Sequence, residues 1–179
     1  DLYSYGPEST FESMSVQAVA DVIEQLENHR ITVTGGEPLL QESAIIELID
    51  ELTRRNAQYD FNIETNGTII PSFHRDNVWF TYDYKTPSSL AEDAMNLDIF
   101  KVATPADIIK FVVGSMQDLD RMDEILKTYP TDAQIFVSPV WGNIEGATII
   151  EYMKAHNWQN VRFQLQIHKF IWDPDAKGV

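Results

Sequence analysis

The chain of 179 residues contains no cysteine. This absence excludes disulfides, thiolate zinc sites, a cysteine nucleophile and an iron–sulfur cluster held by the chain's own thiolates. Positive charge is also scarce: 13 Lys and Arg stand against 28 Asp and Glu, which gives a formal net charge of −15. Such a charge repels phosphate backbones and anionic lipids, so nucleic acids and membrane surfaces are poor candidates for partners.

Long apolar stretches are missing as well. No run approaches the roughly 18 residues of a membrane span, and the opening DLYSYGPEST does not resemble a signal peptide. We therefore expect a cytoplasmic protein, and since the chain does not begin with Met, we expect its natural N-terminus upstream of Asp1. Hydrophobic residues make up 44% and charged residues 23%, which is typical of a globular protein with a sizeable core.

Short β-prone runs alternate with amphipathic stretches along the chain. Helical spacing predicts helices near residues 16–26, 42–56, 119–126 and 149–156, with Ser13 or Ser15 as the N-cap of the first. Six strands are predicted, at residues 31–34, 61–65, 78–84, 108–113, 134–138 and 161–167. Residues 88–105 are predicted to be loop with a short helix. This alternation favours an α/β fold with a parallel sheet, either open or curled into a partial barrel.

Polar and small residues follow the predicted strands, where parallel sheets present their ligands. These segments are TGGEP at residues 34–38, ETNG at 64–67, DYKTPSS at 83–89, SPVWG at 138–142 and QLQIHK at 164–169. The sequence therefore predicts a ligand site at the carboxyl ends of the strands.

The Gly-Gly-Glu-Pro segment has two interpretations. Gly35 and Gly36 can form a tight turn, with Glu37 and Pro38 opening a helix and the carboxylate near its positive end. Alternatively, the glycines let a ligand approach the backbone, so that a carbonyl and a carboxylate face a cation. Because the two glycines directly follow a buried strand that ends in Thr34, the sequence favours the ligand-site interpretation.

The other candidates also have structural alternatives. The pair Asn66–Gly67 is more typical of a turn than of a site. Lys85 either forms an ion pair of little value with Asp83 or reaches over a pocket to a ligand carboxylate or hydroxyl. The four histidines have no metal-ligand spacing. We expect structural roles for His29 and His156 at helix ends, and a site role for His168 alone.

Read together, these motifs resemble a known family. The segment TGGEPLL (residues 34–40) resembles the Gly-Gly-Glu motif of radical S-adenosylmethionine (SAM) enzymes. The segments IETNGT, DYKTPSS, KFVV, FVSPVWG and VRFQLQIHKFIWDPDAKGV follow in order. Together they are similar to the 7-carboxy-7-deazaguanine synthase family, from about residue 1 to the end of the chain.

The resemblance implies a modified, incomplete TIM-type barrel in a single radical SAM-type domain over residues 1–179. It implies conversion of 6-carboxy-5,6,7,8-tetrahydropterin to 7-carboxy-7-deazaguanine with loss of ammonia. The cofactors so implied are a [4Fe–4S] cluster, SAM and Mg²⁺. The partners are a second copy of the chain in a homodimer and an external electron donor such as flavodoxin or ferredoxin. The cofactor would supply the radical chemistry, and the protein would position it and exclude water.

Carried over position by position, the resemblance also implies site residues. Thr34, His168 and the C-terminal carboxylate of Val179 would contact the pterin substrate. The segment Asp83–Lys85 takes the place of a Ser-Pro-Lys stretch in many relatives. Only the lysine is identical, so Lys85 is the firmer match there. The residues implied to bind SAM are Gly35, Gly36, Glu37, Asp83, Tyr84, Lys85, Ser138, Pro139, Val140 and Trp141.

One part of the family pattern is missing. The family's three cluster cysteines precede a Cys-Asp-Thr/Ser segment, whereas this chain begins with Asp1 and Leu2 and has no cysteine. We therefore expect the first strand and the cluster loop to be absent, this chain alone to be inactive, and no residue here to bind the cluster or Mg²⁺. Two alternatives stay open: another radical SAM activating enzyme, and a cluster-free descendant that binds a nucleotide or pterin.

Overall fold

The computed structural model describes residues 13–174 and residue 176. The chain divides into two compact units, one ending at Thr81 and the other beginning at Tyr82. Among the described residues, no helix is both long enough and apolar enough to cross a membrane.

One six-stranded sheet runs through the described residues in sequential order. Its strands are β1 (Arg30–Val33), β2 (Asp60–Thr65), β3 (Val78–Tyr84), β4 (Ile108–Val113), β5 (Gln134–Pro139) and β6 (Val161–Phe163). The pairings β1–β2, β4–β5 and β5–β6 are parallel. Because β1 and β6 are the two end strands, the sheet is not closed, which confirms the predicted α/β fold with an open sheet.

The first unit contains helices α1 (Val16–Gln25) and α2 (Glu42–Arg55). The structure identifies Ser15, not Ser13, as the cap of α1, because its Oγ accepts the Ala18 N–H at 3.2 Å. The apolar stripe of α2 is buried, as the helical spacing predicts. The guanidinium of Arg55 binds Asp21 and Glu24 of α1 and so ties the two helices together.

The second unit contains α3 (Ile99–Val102), α4 (Met116–Thr128), α5 (Gly146–Ala155) and α6 (His168–Ile171). Its core combines aromatic and aliphatic side chains, with the Tyr84 ring 4.8 Å from the Phe111 ring and 6.0 Å from the Phe100 ring. Leu119 and Met122 of α4 are fully buried in this unit.

The two faces of the sheet differ in polarity. In β2 and β4 every second side chain is fully buried, and these are mainly aromatic or aliphatic. The residues between them are polar or only partly covered, among them Asn62, Glu64 and Lys110. Since side chains alternate along a strand, each of these two strands turns one side to the core of its own unit and presents polar groups on the other.

The last strand is shorter than the prediction of residues 161–167. β6 ends at Phe163, and the Gln164 N–H makes one further bond to the Val137 carbonyl at 2.9 Å. The next rung of the parallel ladder would need an amide hydrogen at position 139, where proline has none. His168 therefore begins the short helix α6 and does not end a strand.

Candidate functional site

The turn after β1 has a backbone conformation that favours glycine. Gly35 has φ of 99° and Gly36 has φ of 58°, in a region that residues with a side chain rarely adopt. A Cβ at Gly35 would find no heavy atom within 4 Å, so its backbone is open to approach. The constraint at this position is conformational, and the space beside it is available to a ligand.

The carboxylate of Glu37 is held by donors of its own unit. Its Oε1 accepts the Leu39 N–H at 3.0 Å, and its Oε2 accepts the Asn66 N–H at 2.8 Å. The Thr65 hydroxyl lies 2.9 Å from both oxygens. Glu37 thereby caps the 3₁₀ helix Pro38–Gln41 and joins the end of β1 to the end of β2.

Two further polar pairs of the first unit lie on the side of the strands that faces away from the core. The Thr34 hydroxyl points to Glu64 at 3.5 Å, a distance at the limit of a hydrogen bond. The Thr81 hydroxyl donates to the side-chain Oδ1 of Asn62 at 2.9 Å. Thr34 and Glu64 are both exposed, so their polar atoms are accessible to a ligand.

The Asn66–Gly67 pair forms a turn stabilised by its own side chain. The Asn66 Oδ1 accepts the backbone N–H of Thr68 at 3.0 Å and the Thr68 hydroxyl at 2.7 Å, and Gly67 has φ of 74°. These bonds agree with the turn role that the sequence favours for this pair.

In the second unit, Asp83 and Lys85 form an ion pair with 2.6 Å between Nζ and Oδ2. Lys85 is 23% exposed and Asp83 is 37% exposed at the side chain, so the pair is half-buried but reachable. Tyr84, between them in sequence, points to the opposite face and is 1% exposed. Burial, together with the nearby Glu92 charge, raises the pKa of the Tyr84 phenol.

Ser138 at the end of β5 has a buried hydroxyl without a hydrogen-bond partner. The residue is 1% exposed and pairs in register with Val112 of β4. Buried hydroxyls in folded proteins usually have a partner, so this one is available to a ligand that approaches the strand end. It is a sequence-predicted site residue with a free polar group.

The loop after β5 reaches α6. Trp141 is 42% exposed, and its ring meets the Phe170 ring edge-to-face at 4.9 Å. Pro139 and Val140 are partly covered, and the Val140 N–H donates to the Val113 carbonyl at 2.7 Å. His168 is exposed at the start of α6. Val179 lies outside the described residues.

The histidines expected to be structural have local partners. His29 Nε2 is 2.9 Å from Asn56 Nδ2 at the end of α2, and its ring lies 5.0 Å from the Tyr59 ring. His156 stacks on Tyr152 at 3.9 Å, and its Nδ1 lies 3.3 Å from Asp123. His156 is the C-cap of α5, as expected, whereas His29 directly precedes β1 and contacts the C-cap of α2, so it does not lie at the end of a helix.

The donor set does not fit an iron–sulfur cluster. The sequence has no cysteine, and among the described residues no group of three or more His, Asp or Glu side chains is arranged to hold a metal ion. The polar groups at the strand ends are hydroxyls, carboxylates, an ammonium and backbone carbonyls. Within each unit, groups of these kinds can bind polar atoms of an organic ligand.

Sequence reasoning assigned no role to Thr65, although the structure makes it a principal partner of Glu37. The residue is 1% exposed and its hydroxyl also accepts the Gly67 N–H at 3.2 Å. The sequence contains a signal for this role. Thr65 continues the alternation of Phe61 and Ile63 along the strand, so its hydroxyl lies on the side where an apolar side chain is expected. Its partner could be found only from the fold.

Comparison with known proteins identifies relatives that share one name. No model of a protein family matches the chain. The 7-carboxy-7-deazaguanine synthase of Clostridium acetobutylicum is 37% identical over 93% of this chain and 76% of its own length. The synthase of Leptospira interrogans is 36% identical over 99% and 78%, and that of Methanospirillum hungatei is 36% identical over 82% and 60%. The chain thus spans about three quarters of two of these relatives and less than two thirds of the third.

A solved structure shares the fold. A radical SAM methyltransferase from Sphaerobacter thermophilus superposes with a TM-score of 0.57 over 84% of this chain and 56% of its own, at 12% identity. This likeness confirms the fold class of a partial parallel β/α barrel, as in radical SAM proteins.

Proposed function

Because the chain belongs to the 7-carboxy-7-deazaguanine synthase family, we propose that it serves the conversion of 6-carboxy-5,6,7,8-tetrahydropterin to 7-carboxy-7-deazaguanine with release of ammonia. This is a carbon–nitrogen lyase reaction of the radical SAM type. The observation that carries the proposal is the Gly35–Gly36 turn, whose left-handed backbone is open to approach at the carboxyl end of β1.

The proposed SAM contacts follow from chemistry available at the strand ends. The backbone of Gly35 and Gly36, next to Glu37, is proposed to bind the methionine end of SAM, since carbonyl oxygens accept hydrogen bonds from an ammonium. Lys85 is proposed to donate to a SAM oxygen, with Asp83 holding its ammonium group in place. The positions of these groups within their own units support the proposed contacts.

The second part of the proposed SAM contacts lies after β5. The free Ser138 hydroxyl is proposed to bind a polar atom of the adenosine moiety, and Pro139, Val140 and Trp141 to cover its apolar surface. Tyr84 contributes only backbone atoms to the proposal, because its side chain is buried in the core. Thr34, His168 and Val179 are proposed to contact the pterin.

The remaining components are also proposals. A [4Fe–4S] cluster and Mg²⁺ are proposed for the active enzyme, together with a homodimer and an external electron donor such as flavodoxin or ferredoxin. This chain alone is proposed to be inactive in SAM cleavage, because it has no thiolate that could hold the cluster.

The direct test uses the full translation product of the gene, reconstituted anaerobically with iron and sulfide and supplied with a reductant, Mg²⁺, SAM and the carboxytetrahydropterin. Mass spectrometry should detect 5′-deoxyadenosine and 7-carboxy-7-deazaguanine. If neither product forms, the proposal is wrong. If the pterin binds but SAM is not cleaved, the cluster-free binding protein becomes the better interpretation.

A pair of lysine variants localises the site within that assay. Lys85→Ala should raise the KM for SAM about tenfold, the value of one charge-assisted hydrogen bond of about 1.4 kcal/mol. Lys101→Ala is the control, because Lys101 forms an exposed ion pair with Asp98 in the same unit. Equal kinetics of the two variants would exclude Lys85 from the SAM site.

A further inference from the structure

The sequence contains one Asn-Gly pair, Asn66–Gly67, and such a pair is chemically labile in an unrestrained chain. Asparagine is thermolabile because the backbone nitrogen of the next residue can attack its side-chain amide carbon. Glycine at that next position makes the attack easier, since it has no Cβ to shield the nitrogen or to restrict the backbone. Asn66 is therefore the position of this chain where spontaneous deamidation is expected first.

The reaction needs no reagent other than water. The Gly67 nitrogen forms a bond to Cγ of Asn66, the bond from Cγ to Nδ2 breaks, and ammonia leaves with the proton of the Gly67 amide. The resulting succinimide ring takes up one water molecule and opens at either of its two carbonyl groups. The product at position 66 is an aspartate or an isoaspartate, and the isoaspartate lengthens the backbone by one methylene carbon.

In the structure, both reacting groups are hydrogen-bonded to threonine residues of the same unit. The Asn66 Oδ1 accepts the Thr68 N–H at 3.0 Å and the Thr68 hydroxyl at 2.7 Å. The Gly67 N–H donates to Thr65 Oγ1 at 3.2 Å, while the Thr65 hydroxyl hydrogen is directed to the Glu37 carboxylate. Thr65 thus binds the attacking group, and Thr68 binds the amide that would be attacked.

These bonds oppose the rotation that ring closure requires. The Gly67 peptide plane has to turn until its nitrogen faces Cγ of Asn66, which takes the N–H away from Thr65. The Asn66 side chain has to turn as well, which takes Oδ1 away from Thr68. Gly67 is buried, so water does not readily replace the bonds that are lost. Each lost hydrogen bond makes the open arrangement about fivefold rarer.

From these contacts we propose that Asn66 is a latent deamidation site, and that the side chains of Thr65 and Thr68 keep it unmodified in the folded protein. The proposal is independent of the proposed reaction, because it involves only the chain itself and water. Deamidation would add a negative charge next to Glu37, whose Oε2 accepts the Asn66 N–H at 2.8 Å. Protection of Asn66 therefore preserves the shape and charge of the turn at the end of β2.

The first arm of the experiment compares the folded chain with the same chain unfolded in guanidinium chloride. Both are aged in mildly alkaline buffer, which favours loss of the Gly67 amide proton, and peptide mapping by mass spectrometry follows the conversion of Asn66. Asn66 should convert at least about tenfold faster in the unfolded chain, where none of the bonds to Thr65 and Thr68 persists. Equal rates in the two states, or no conversion in the unfolded chain, would overturn the proposal.

Asn28 is an internal reference for the role of glycine in both samples. Its Oδ1 also accepts the amide two residues further on, that of Arg30 at 2.9 Å, but the residue between them is His29. Asn28 should therefore convert more slowly than Asn66 in the unfolded chain. Equal conversion of the two asparagines there would contradict the special lability of the Asn-Gly pair and overturn the proposal.

The second arm uses variants of Thr68 in the folded chain. Thr68→Val removes the hydroxyl donor and keeps the backbone amide, so it should raise the rate of Asn66 conversion about fivefold. Thr68→Ser keeps the hydroxyl and should age as the wild type does. Thr81→Val is the matched control, because the Thr81 hydroxyl donates to the Oδ1 of Asn62 in the same unit at 2.9 Å. Equal acceleration of Asn66 conversion by Thr68→Val and Thr81→Val would indicate general loosening and overturn the role of Thr68.

The variants of Thr65 test the bond to the attacking nitrogen. Thr65→Val removes the acceptor of the Gly67 N–H and should also raise the rate of Asn66 conversion about fivefold, whereas Thr65→Ser should restore the wild-type rate. Because Thr65 is buried, urea unfolding of each variant verifies that it stays folded under the ageing conditions. If the folded Thr65→Val and Thr68→Val variants both age at the wild-type rate, the proposal is wrong, whatever the SAM assays show.

Discussion

At the scale of single residues, the candidate site is decided by backbone conformation and by which polar groups are already occupied. The positive φ angles at residues 35 and 36 favour glycine. The Glu37 carboxylate accepts a hydrogen bond from the Asn66 N–H of its own unit. Ser138 differs from these, because its buried hydroxyl has no partner. Sequence motifs mark all of these positions alike, although their physical roles are different.

The conformation of Gly35 leads to a testable cost. Gly35→Ala should lower the free energy of unfolding by about 1–2 kcal/mol, since φ of 99° is strained for a residue with a Cβ. Urea unfolding of the variant measures this loss. Gly114→Ala is the control, because a Cβ there meets Asn143 and Val140 at 3.4 Å without a positive φ. Equal losses in the two variants would show that conformation is not the cause.

Asp118 gives a prediction about pH. Burial alone raises the pKa of its carboxyl, but hydrogen bonds involving Ser88, Gly114 and Ser115 outweigh burial and lower the pKa below its ordinary value of 3.8. Its carboxylate accepts the Gly114 N–H at 2.7 Å and the Ser88 N–H at 2.9 Å, which joins two loops of the second unit.

A carboxyl whose pKa is lower in the folded state contributes stability above the ordinary pKa and loses that contribution as the pH falls through the folded pKa. Asp118→Asn should therefore lower the free energy of unfolding by about 1–3 kcal/mol at neutral pH. The difference from the wild type should shrink below about pH 4. Urea unfolding at both pH values tests this, and a difference independent of pH would contradict it.

At the scale of elements, boundaries depend on individual bonds that patterns show only in part. The β5–β6 ladder stops because Pro139 has no amide hydrogen, although residues 164–167 alternate as a strand would. Helix α1 begins where Ser15, and not Ser13, reaches a free amide. In both cases the sequence was compatible with two boundaries, and the hydrogen bonds of the fold determine which of the two forms.

The cap of α1 gives the element-scale prediction. Ser15→Ala should cost about 1 kcal/mol in the free energy of unfolding, because the Ala18 amide loses its acceptor at the helix N-terminus. Ser13→Ala is the matched control, since it removes a hydroxyl two residues earlier and keeps the cap. Chemical unfolding of both variants checks the prediction, and a larger loss in Ser13→Ala would contradict the assignment.

At the scale of the whole molecule, the excess of acidic residues is the dominant feature. The formal charge of −15 means that acidic groups repel each other in the folded state, and many of the ion pairs are exposed and individually weak. The proposed small-molecule substrate agrees with this charge. That the two units form a single radical SAM-type domain stays a prediction.

Salt should stabilise this protein at neutral pH. Raising NaCl from about 20 mM to about 300 mM shortens the screening length well below the size of the molecule and should raise the melting temperature. Calorimetry at both salt concentrations measures the shift. Near the pI of about 4.4 the shift should be much smaller, and an equal shift at both pH values would show that net charge is not responsible.

The sequence alone determined the order of strands and helices, the polar strand ends and the family, because these depend on periodicity and on motifs that are local in the chain. Only the tertiary structure decided what those motifs do. It paired Glu37 with Thr65 and Asn66, turned Tyr84 into the core beside the accessible Asp83–Lys85 pair, and left the Ser138 hydroxyl without a partner. These outcomes depend on which distant groups meet across the sheet and on which face each side chain takes, and no pattern within one segment specifies both.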